Sequence, residues 1–244
     1  MKNIHKFSVS SFDERKEFYE FEFDIKKVKH WFKENGVNFP QICAIDAGSE
    51  SGIIVDRRLK GNMLYFRFYE LERKIKKYIP EDVYYDRNYY ENPEREMKIL
   101  KFRNWKAQEL VFDIDSDNIR CNHEKNKQVC QVCLKKAYYW SLKMKKELKE
   151  KFNFERVEIV YSGRGFHIHV FDKKGFLLSI KERKKIVSYF KRFPIDPWVS
   201  SGNISLIRLP YSLHGLVSRI VMPVNSDNII NELKECAIPN FLKS

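Results

Sequence analysis

Cysteine is scarce in this chain and unevenly spread: of five, three stand at positions 121, 130 and 133, and Cys43 and Cys236 lie far away. Such usage excludes a disulfide scaffold and agrees with a reducing compartment. Long apolar runs are missing too. No stretch approaches the ~18 residues of a membrane span, and Met1-Lys2-Asn3-Ile4-His5-Lys6 starts no secretory signal, so the expected location is the cytoplasm. No repeat, low-complexity tract or Gly/Ser linker divides the 244 residues, so one domain over 1–244 carrying a small insertion is expected. Acidic residues are outnumbered, 33 against 46 Lys and Arg, for a net charge of +13. That excess favours a polyanionic partner, although an anionic membrane surface or an ion-pair-rich thermophile exterior fits it as well.

What is present reads as an alternation of helices and short strands. Residues 24–36 form a predicted helix with Asp24 as cap, Val28, Trp31 and Phe32 on one face, and Asn35-Gly36 as stop. Strand signals follow at 42–46, 52–56 and 63–68. A charged helix over 70–78 is ended by Pro80, and the aromatic stretch 83–93 reads as an irregular loop. Ala137, Trp140, Met144 and Leu148 recur at helical spacing on a lysine-rich segment. Most such lysines solvate a helix face; a basic footprint for nucleic acid is the alternative.

The chemistry concentrates in a few motifs. In Leu110-Val111-Phe112-Asp113-Ile114-Asp115 an apolar run ends in two carboxylates at i and i+2, which share a strand face while Leu110, Phe112 and Ile114 face the opposite layer. Two carboxylates so placed repel unless a cation lies between them, and Mg²⁺ or Mn²⁺ takes oxygen ligands while leaving positions for substrate phosphates. A bare Asp-x-Asp is common at strand ends, so its company decides. Cys121, His123, Cys130 and Cys133 follow at once, spaced C-x-H-x6-C-x2-C: the ligand set of a closed, structural Zn²⁺ knuckle over 121–133 with no open position for catalysis.

Residues 157–161 and 166–171 alternate as a β-hairpin around Ser162-Gly163-Arg164-Gly165. Glycines let backbone approach a ligand, so Ser162, the turn amides and Arg164 can converge on a phosphate, while His167 and His169 share a face opposite Phe166, Ile168 and Val170. Downstream, Asp196 is a third candidate carboxylate. Arg208 and His214 are candidate nucleotide contacts, ahead of an apolar strand over 217–224.

In order and spacing, Phe112-Asp113-Ile114-Asp115, the Cys/His knuckle, Ser162-Gly163-Arg164-Gly165-Phe166-His167, Asp196 and Ser212-Leu213-His214-Gly215 resemble the archaeo-eukaryotic DNA primase small catalytic subunit of archaeal type. The likeness runs from about residue 60 to about 224 and includes the Tyr-rich segment Val83 to Pro93. It implies an α+β "prim" fold, an antiparallel or mixed sheet core flanked by helices with the zinc knuckle inserted. It also implies template-directed, two-metal synthesis of short RNA primers on single-stranded DNA. Asp113, Asp115 and Asp196 would hold Mg²⁺ or Mn²⁺. Ser162, Arg164, His167, Arg208 and His214 would contact the nucleoside triphosphate, and Arg67 is a looser match to a further nucleotide-binding arginine. Implied partners are the single-stranded template, nucleoside triphosphates and a primase large subunit, at the nucleoid. Two departures stand out: Arg164 is alone where some members have a second basic residue, and the chain stops about twenty residues after its last apolar strand, as a minimal or a truncated subunit would. A repair or gap-filling polymerase of the same superfamily, or a non-enzymatic zinc-stabilised nucleic-acid-binding module, are the rival readings.

Overall fold

The computed structural model describes residues 7–46, 63–119, 129–202, 204–224, 233 and 235–243. Two helices come first, α1 (Phe12–Phe21) and α2 (Ile25–Glu34). Ser11 and Glu14 form a reciprocal capping box on α1, and the Asp24 carboxylate accepts the Lys26 amide at 2.8 Å on α2, satisfying N–H groups a helix start leaves unpaired. As expected, α2 buries Val28, Trp31 and Phe32 and stops at Asn35. Strands β1 (Ile42–Asp46) and β2 (Met63–Arg67) pair antiparallel, whereas the strand expected at 52–56 lies outside the described residues. A 3-10 turn at Phe68–Glu70 leads into α3 (Leu71–Tyr78), which ends at Ile79 in a left-handed conformation, φ +45°, just ahead of Pro80.

The aromatic stretch 83–93 is not the irregular loop that its turn residues suggest. It folds as β3 (Asp82–Asp86) and β4 (Asn88–Tyr90), and α4 (Pro93–Ile99) follows with Pro93 in its first turn. Tyrosine suits a half-buried pleated surface, and once β3 sits beside β1, Val83 and Tyr85 are covered while Tyr84 is only half-buried. The chain continues through β5 (Trp105–Gln108), β6 (Leu110–Asp115), α5 (Gln131–Phe152), β7 (Val157–Tyr161), β8 (Gly165–Val170), α6 (Lys173–Phe176), α7 (Ile180–Tyr189) and α8 (Pro197–Ser200). It ends in four short strands, β9 (Leu206–Arg208), β10 (Leu213–His214), β11 (Arg219–Ile220) and β12 (Met222–Pro223). The strand expected over 217–224 is thus two dipeptides in different sheets: β11 pairs with β10, β12 with β7, and the chain crosses between sheets at Val221. Pro223 has no N–H to donate, which suits β12 to its edge position.

All strand pairs among the described residues are antiparallel. One sheet runs β11-β10-β3-β1-β2 with β9 also on β3; a second runs β12-β7-β8-β6; β4 and β5 form a separate ribbon. Leu110, Phe112 and Ile114 pack with Phe166, Ile168 and Val170 against Ala137, Met144 and Leu148 of α5. Full burial of each such large side chain contributes about 1.5–3 kcal/mol. Val111, Val160 and Phe171, on the other face of the second sheet, join the core of the first with Trp31, Cys43 and Tyr85. Alternation along β6 and β8 therefore turns Asp113, Asp115, His167 and His169 away from α5, and α+β architecture follows as expected. No helix among the described residues is long and apolar enough to cross a membrane.

Candidate active site

Register between β6 and β8 sets the first part of the site. Asp113 is opposite His167 and Asp115 opposite Gly165, with Asp113 Oδ1 3.7 Å from His167 Nε2. The intervening turn is closed by the Ser162 amide donating to the Gly165 carbonyl at 3.0 Å and the Gly165 amide donating to Ser162 Oγ at 3.1 Å, so Ser162 is buried and organises the turn. Gly163 has φ +99°, and a Cβ there would stand 2.7 Å from the His214 ring. At Gly165 a Cβ would collide with the Ile114 carbonyl oxygen and lie 2.7 Å from Asp115 Cα. The two glycines thus let the turn lie against β6 on one side and His214 on the other. Gly165→Ala is expected to cost about 1–3 kcal/mol through overpacking and to displace Asp115; a thermal melt and nucleotide incorporation, both falling together, would show it.

Arg164 reaches back over β6. Its guanidinium pairs with Asp117 and lies 3.8 Å from Asp115, while its carbonyl accepts the Ser116 amide at 3.2 Å. Asp196 arrives from the other direction: its amide donates to the Asp113 carbonyl at 2.8 Å, and its Oδ1 caps α8 through the Trp198 amide at 2.7 Å. The first sheet supplies the rest. Along one edge of β3, His214 is opposite Asp82 and Arg208 opposite Tyr84. Residues at i and i+2 share a strand face, so all four side chains meet. Asp82 Oδ1 lies 3.1 Å from Arg208 Nε and 3.0 Å from His214 Nδ1, and the Arg208 guanidinium sits 5.5 Å over the Tyr84 ring.

Burial makes these charges matter. Burial pushes Asp113 well above the usual carboxylate range, the neighbouring charges of Asp115 and Asp196 push it further, and Arg208 and Arg164 oppose them. One buried oxygen of Asp113 has no hydrogen-bond partner. Asp82 is the contrast: burial would raise it, but Arg208 and His214 together bring it down to about 2. His167 is lowered well below the ordinary histidine value, first by burial and then by His169, Arg208, Arg87 and His214, so at neutral pH it is an uncharged ring with an unpartnered Nδ1. The site therefore holds a buried, cation-seeking carboxylate beside a fixed arginine and one neutral imidazole, His167, able to donate to a phosphate oxygen. Hard oxygen donors of this kind suit Mg²⁺ or Mn²⁺, and Asp196 retains its second oxygen beyond the helix cap. Among the described residues, no three His, Cys, Asp or Glu side chains stand together as a ready-made metal cage.

All eight candidate residues of the catalytic and nucleotide groups thus fall in one region. Arg67 does not join them: at the far end of β2 it pairs with Glu94 at 2.9 Å. Of the knuckle, Cys121 and His123 lie outside the described residues. Cys130 caps α5, its sulfur accepting the Cys133 amide at 3.4 Å, which brings two of the four expected zinc ligands within one turn. Reading the sequence missed Asp82 and a buried polar layer behind the site. Glu109 lies 2.7 Å from His169 Nδ1 and accepts from the Tyr85 hydroxyl at 2.8 Å. Arg87, fully buried, donates to the carbonyls of Glu109, Val199, Ile204 and Ser205, tying the segment after Asp196 to β6. The only sequence signal for this layer was the very presence of Asp82, Arg87 and Glu109 beside strongly apolar and aromatic strands, where an ionised group needs a partner.

A family model for the DNA primase small subunit matches residues 112–195, a span that includes Asp113, Asp115, Ser162, Arg164 and His167. The chain is 33% identical to an uncharacterized DNA primase small subunit-like protein of Archaeoglobus fulgidus over 263 residues, 96% of this chain and 91% of that one. It is 34% identical to the DNA primase small subunit PriS of Pyrococcus abyssi over 187 residues, 75% of this chain and 50% of the other. With PriS of Pyrobaculum calidifontis the identity is 35% over 130 residues, 52% and 41% of the two chains. The chain thus spans about half, or less, of the length of these PriS relatives.

Proposed function

This chain belongs to the DNA primase small subunit family, in its archaeal form, and from that premise we propose that it is a template-directed nucleotidyltransferase that makes or extends short primers on single-stranded DNA. The observation that carries the reading is the meeting of Asp113, Asp115 and Asp196 with Arg208, His214 and His167 in one partly buried place, reached from five separate elements. Asp113 and Asp115, with the free oxygen of Asp196, would hold Mg²⁺ or Mn²⁺, which when bound activate the attacking hydroxyl and neutralise the leaving pyrophosphate. Arg208, fixed by Asp82, offers a preorganised positive charge to the triphosphate. Arg164 can exchange Asp117 for a phosphate oxygen, and neutral His167 can donate without adding charge, while His214 gives its one N–H to Asp82 and helps hold it against Arg208. The turn amides of Gly163 and Arg164, held by Ser162, complete the phosphate side.

The knuckle reading is structural: Cys121, His123, Cys130 and Cys133 would bind one Zn²⁺ that fixes the start of α5. Cys130→Ser is accordingly expected to lower the melting temperature and zinc content more than nucleotidyl transfer per folded molecule. A variant that melts normally, lacks zinc and is inactive would contradict this. Nucleoside triphosphates and single-stranded template are the proposed substrates, a primase large subunit the proposed partner, and the nucleoid in the cytoplasm the proposed place of action. The test is incorporation of labelled nucleotides on single-stranded DNA with Mg²⁺ or Mn²⁺, with and without a supplied primer. Unprimed products would establish self-sufficient initiation. Primed extension alone would assign initiation to a partner subunit or the chain to gap filling, and no incorporation would overturn the reading.

A further inference from the structure

Two residues beyond Asp196 the chain exposes a large aromatic that the proposed chemistry does not use. Trp198 is 65% exposed, although it opens a short helix whose Val199 and Ser200 are buried. Its amide is bonded to Asp196 Oδ1 at 2.7 Å, so the position of the indole is tied to that of the carboxylate. Between α7 and α8 lies an open groove of about 300 Å³ lined by Lys184, Val187, Ser188, Pro197, Trp198 and Ser201. The lining carries one cation, Lys184, which is exposed on α7 and makes no ion pair among the described residues; Lys181, Glu182 and Lys185 are exposed elsewhere on the same helix. Behind the groove the scaffold is stiff, because Arg183, fully buried, donates to the carbonyls of Gln108, Glu109 and Gly175, and Arg87 grips Val199.

We propose that Trp198 and Lys184 form a contact for single-stranded DNA, the indole stacking on a base and the ammonium meeting an adjacent phosphate, at the entrance to the Asp113–Asp196 cleft. An exposed aromatic beside an unpaired cation is the combination by which single strands are held without regard to sequence, since every base has a face to stack and every linkage a charge. The bond between the Trp198 amide and Asp196, and the charge of Lys184 in the lining, select a nucleic-acid strand over an apolar protein partner, for which an unpaired ammonium would be unfavourable. The inference rests on the reading of the cleft as one that works on a DNA strand.

The test measures binding of a fluorescein-labelled oligo(dT) to the full chain by anisotropy, alongside nucleotide incorporation. Trp198→Ala is expected to weaken DNA binding by about tenfold, Trp198→Phe to retain most of it, and Lys184→Gln to flatten its salt dependence. Phe21→Ala, which removes an 82% exposed aromatic from α1, is the control and is expected to bind as the unaltered chain does. Binding of a manganese–nucleotide complex should not change in Trp198→Ala. Unaltered oligonucleotide affinity in Trp198→Ala would overturn the contact while leaving the polymerase reading in place. Trp198-dependent DNA binding without any nucleotide incorporation would keep the contact and remove the polymerase.

Discussion

Asp113→Asn is expected to abolish nucleotide incorporation, by about three orders of magnitude or more, while raising the melting temperature of the metal-free protein by roughly 2–4 °C. The two effects have one cause. Asp113 is held by strand register where burial and the charges of Asp115 and Asp196 oppose its ionisation, and one of its oxygens has no partner. A carboxyl whose folded pKa is raised contributes its stability fully below the ordinary value of about 3.9, and loses it as pH rises through the folded value. At neutral pH the metal-free chain therefore carries a cost that the amide of nearly equal shape removes. Mg²⁺ or Mn²⁺ should raise the melting temperature of the unaltered chain and leave the variant unmoved. Scans with and without metal check this. A variant less stable than the parent, or still stabilised by metal, would place the cation elsewhere.

Asp82→Ala should have the largest effect on stability, a loss of roughly 3 kcal/mol, or on the order of 6–12 °C in melting temperature. Asp82 is almost wholly buried between Arg208 and His214, and its removal leaves the guanidinium without its anion. Because the folded pKa is depressed to about 2, the stability it supplies is complete above the ordinary value of about 3.9 and is lost as pH falls through about 2. Acid unfolding followed from pH 7 to 2 should therefore show a loss between pH 4 and 2 in the unaltered chain that is missing from Asp82→Ala. Asp82 acts through Arg208 and is a positioning residue. At a temperature where the variant is folded, its KM for nucleotide should rise more than its kcat falls.

How much of this was legible beforehand follows from which interactions are local. The Asp113/Asp115 face, the hairpin with its Ser162–Gly165 turn, helix α2 and the buried stripe of α5 all follow from periodicities of two or 3.6 and from caps within a few residues, and the structure has them where the sequence places them. Arg208 and His214 could be named in the sequence as candidate contacts, but what holds them could not be read there, because their partner Asp82 is 126 and 132 positions away and is reached through antiparallel pairing with β3. The same pairing explains the error at 83–93: tyrosines, asparagines and a proline read as turn material until β1 and β9 flank them. Val217 to Val224 was apolar enough for one strand, but its two halves serve two sheets, a division no local pattern encodes.

The most direct measurement is incorporation of a labelled nucleotide opposite a defined single-stranded template with Mn²⁺, comparing the unaltered chain with the Asp113→Ala plus Asp115→Ala double variant, both shown to be folded by circular dichroism. Template-complementary incorporation by the unaltered chain that vanishes in the double variant is the expected result. Incorporation that persists in a folded double variant would contradict the assignment of the chemistry to this cleft.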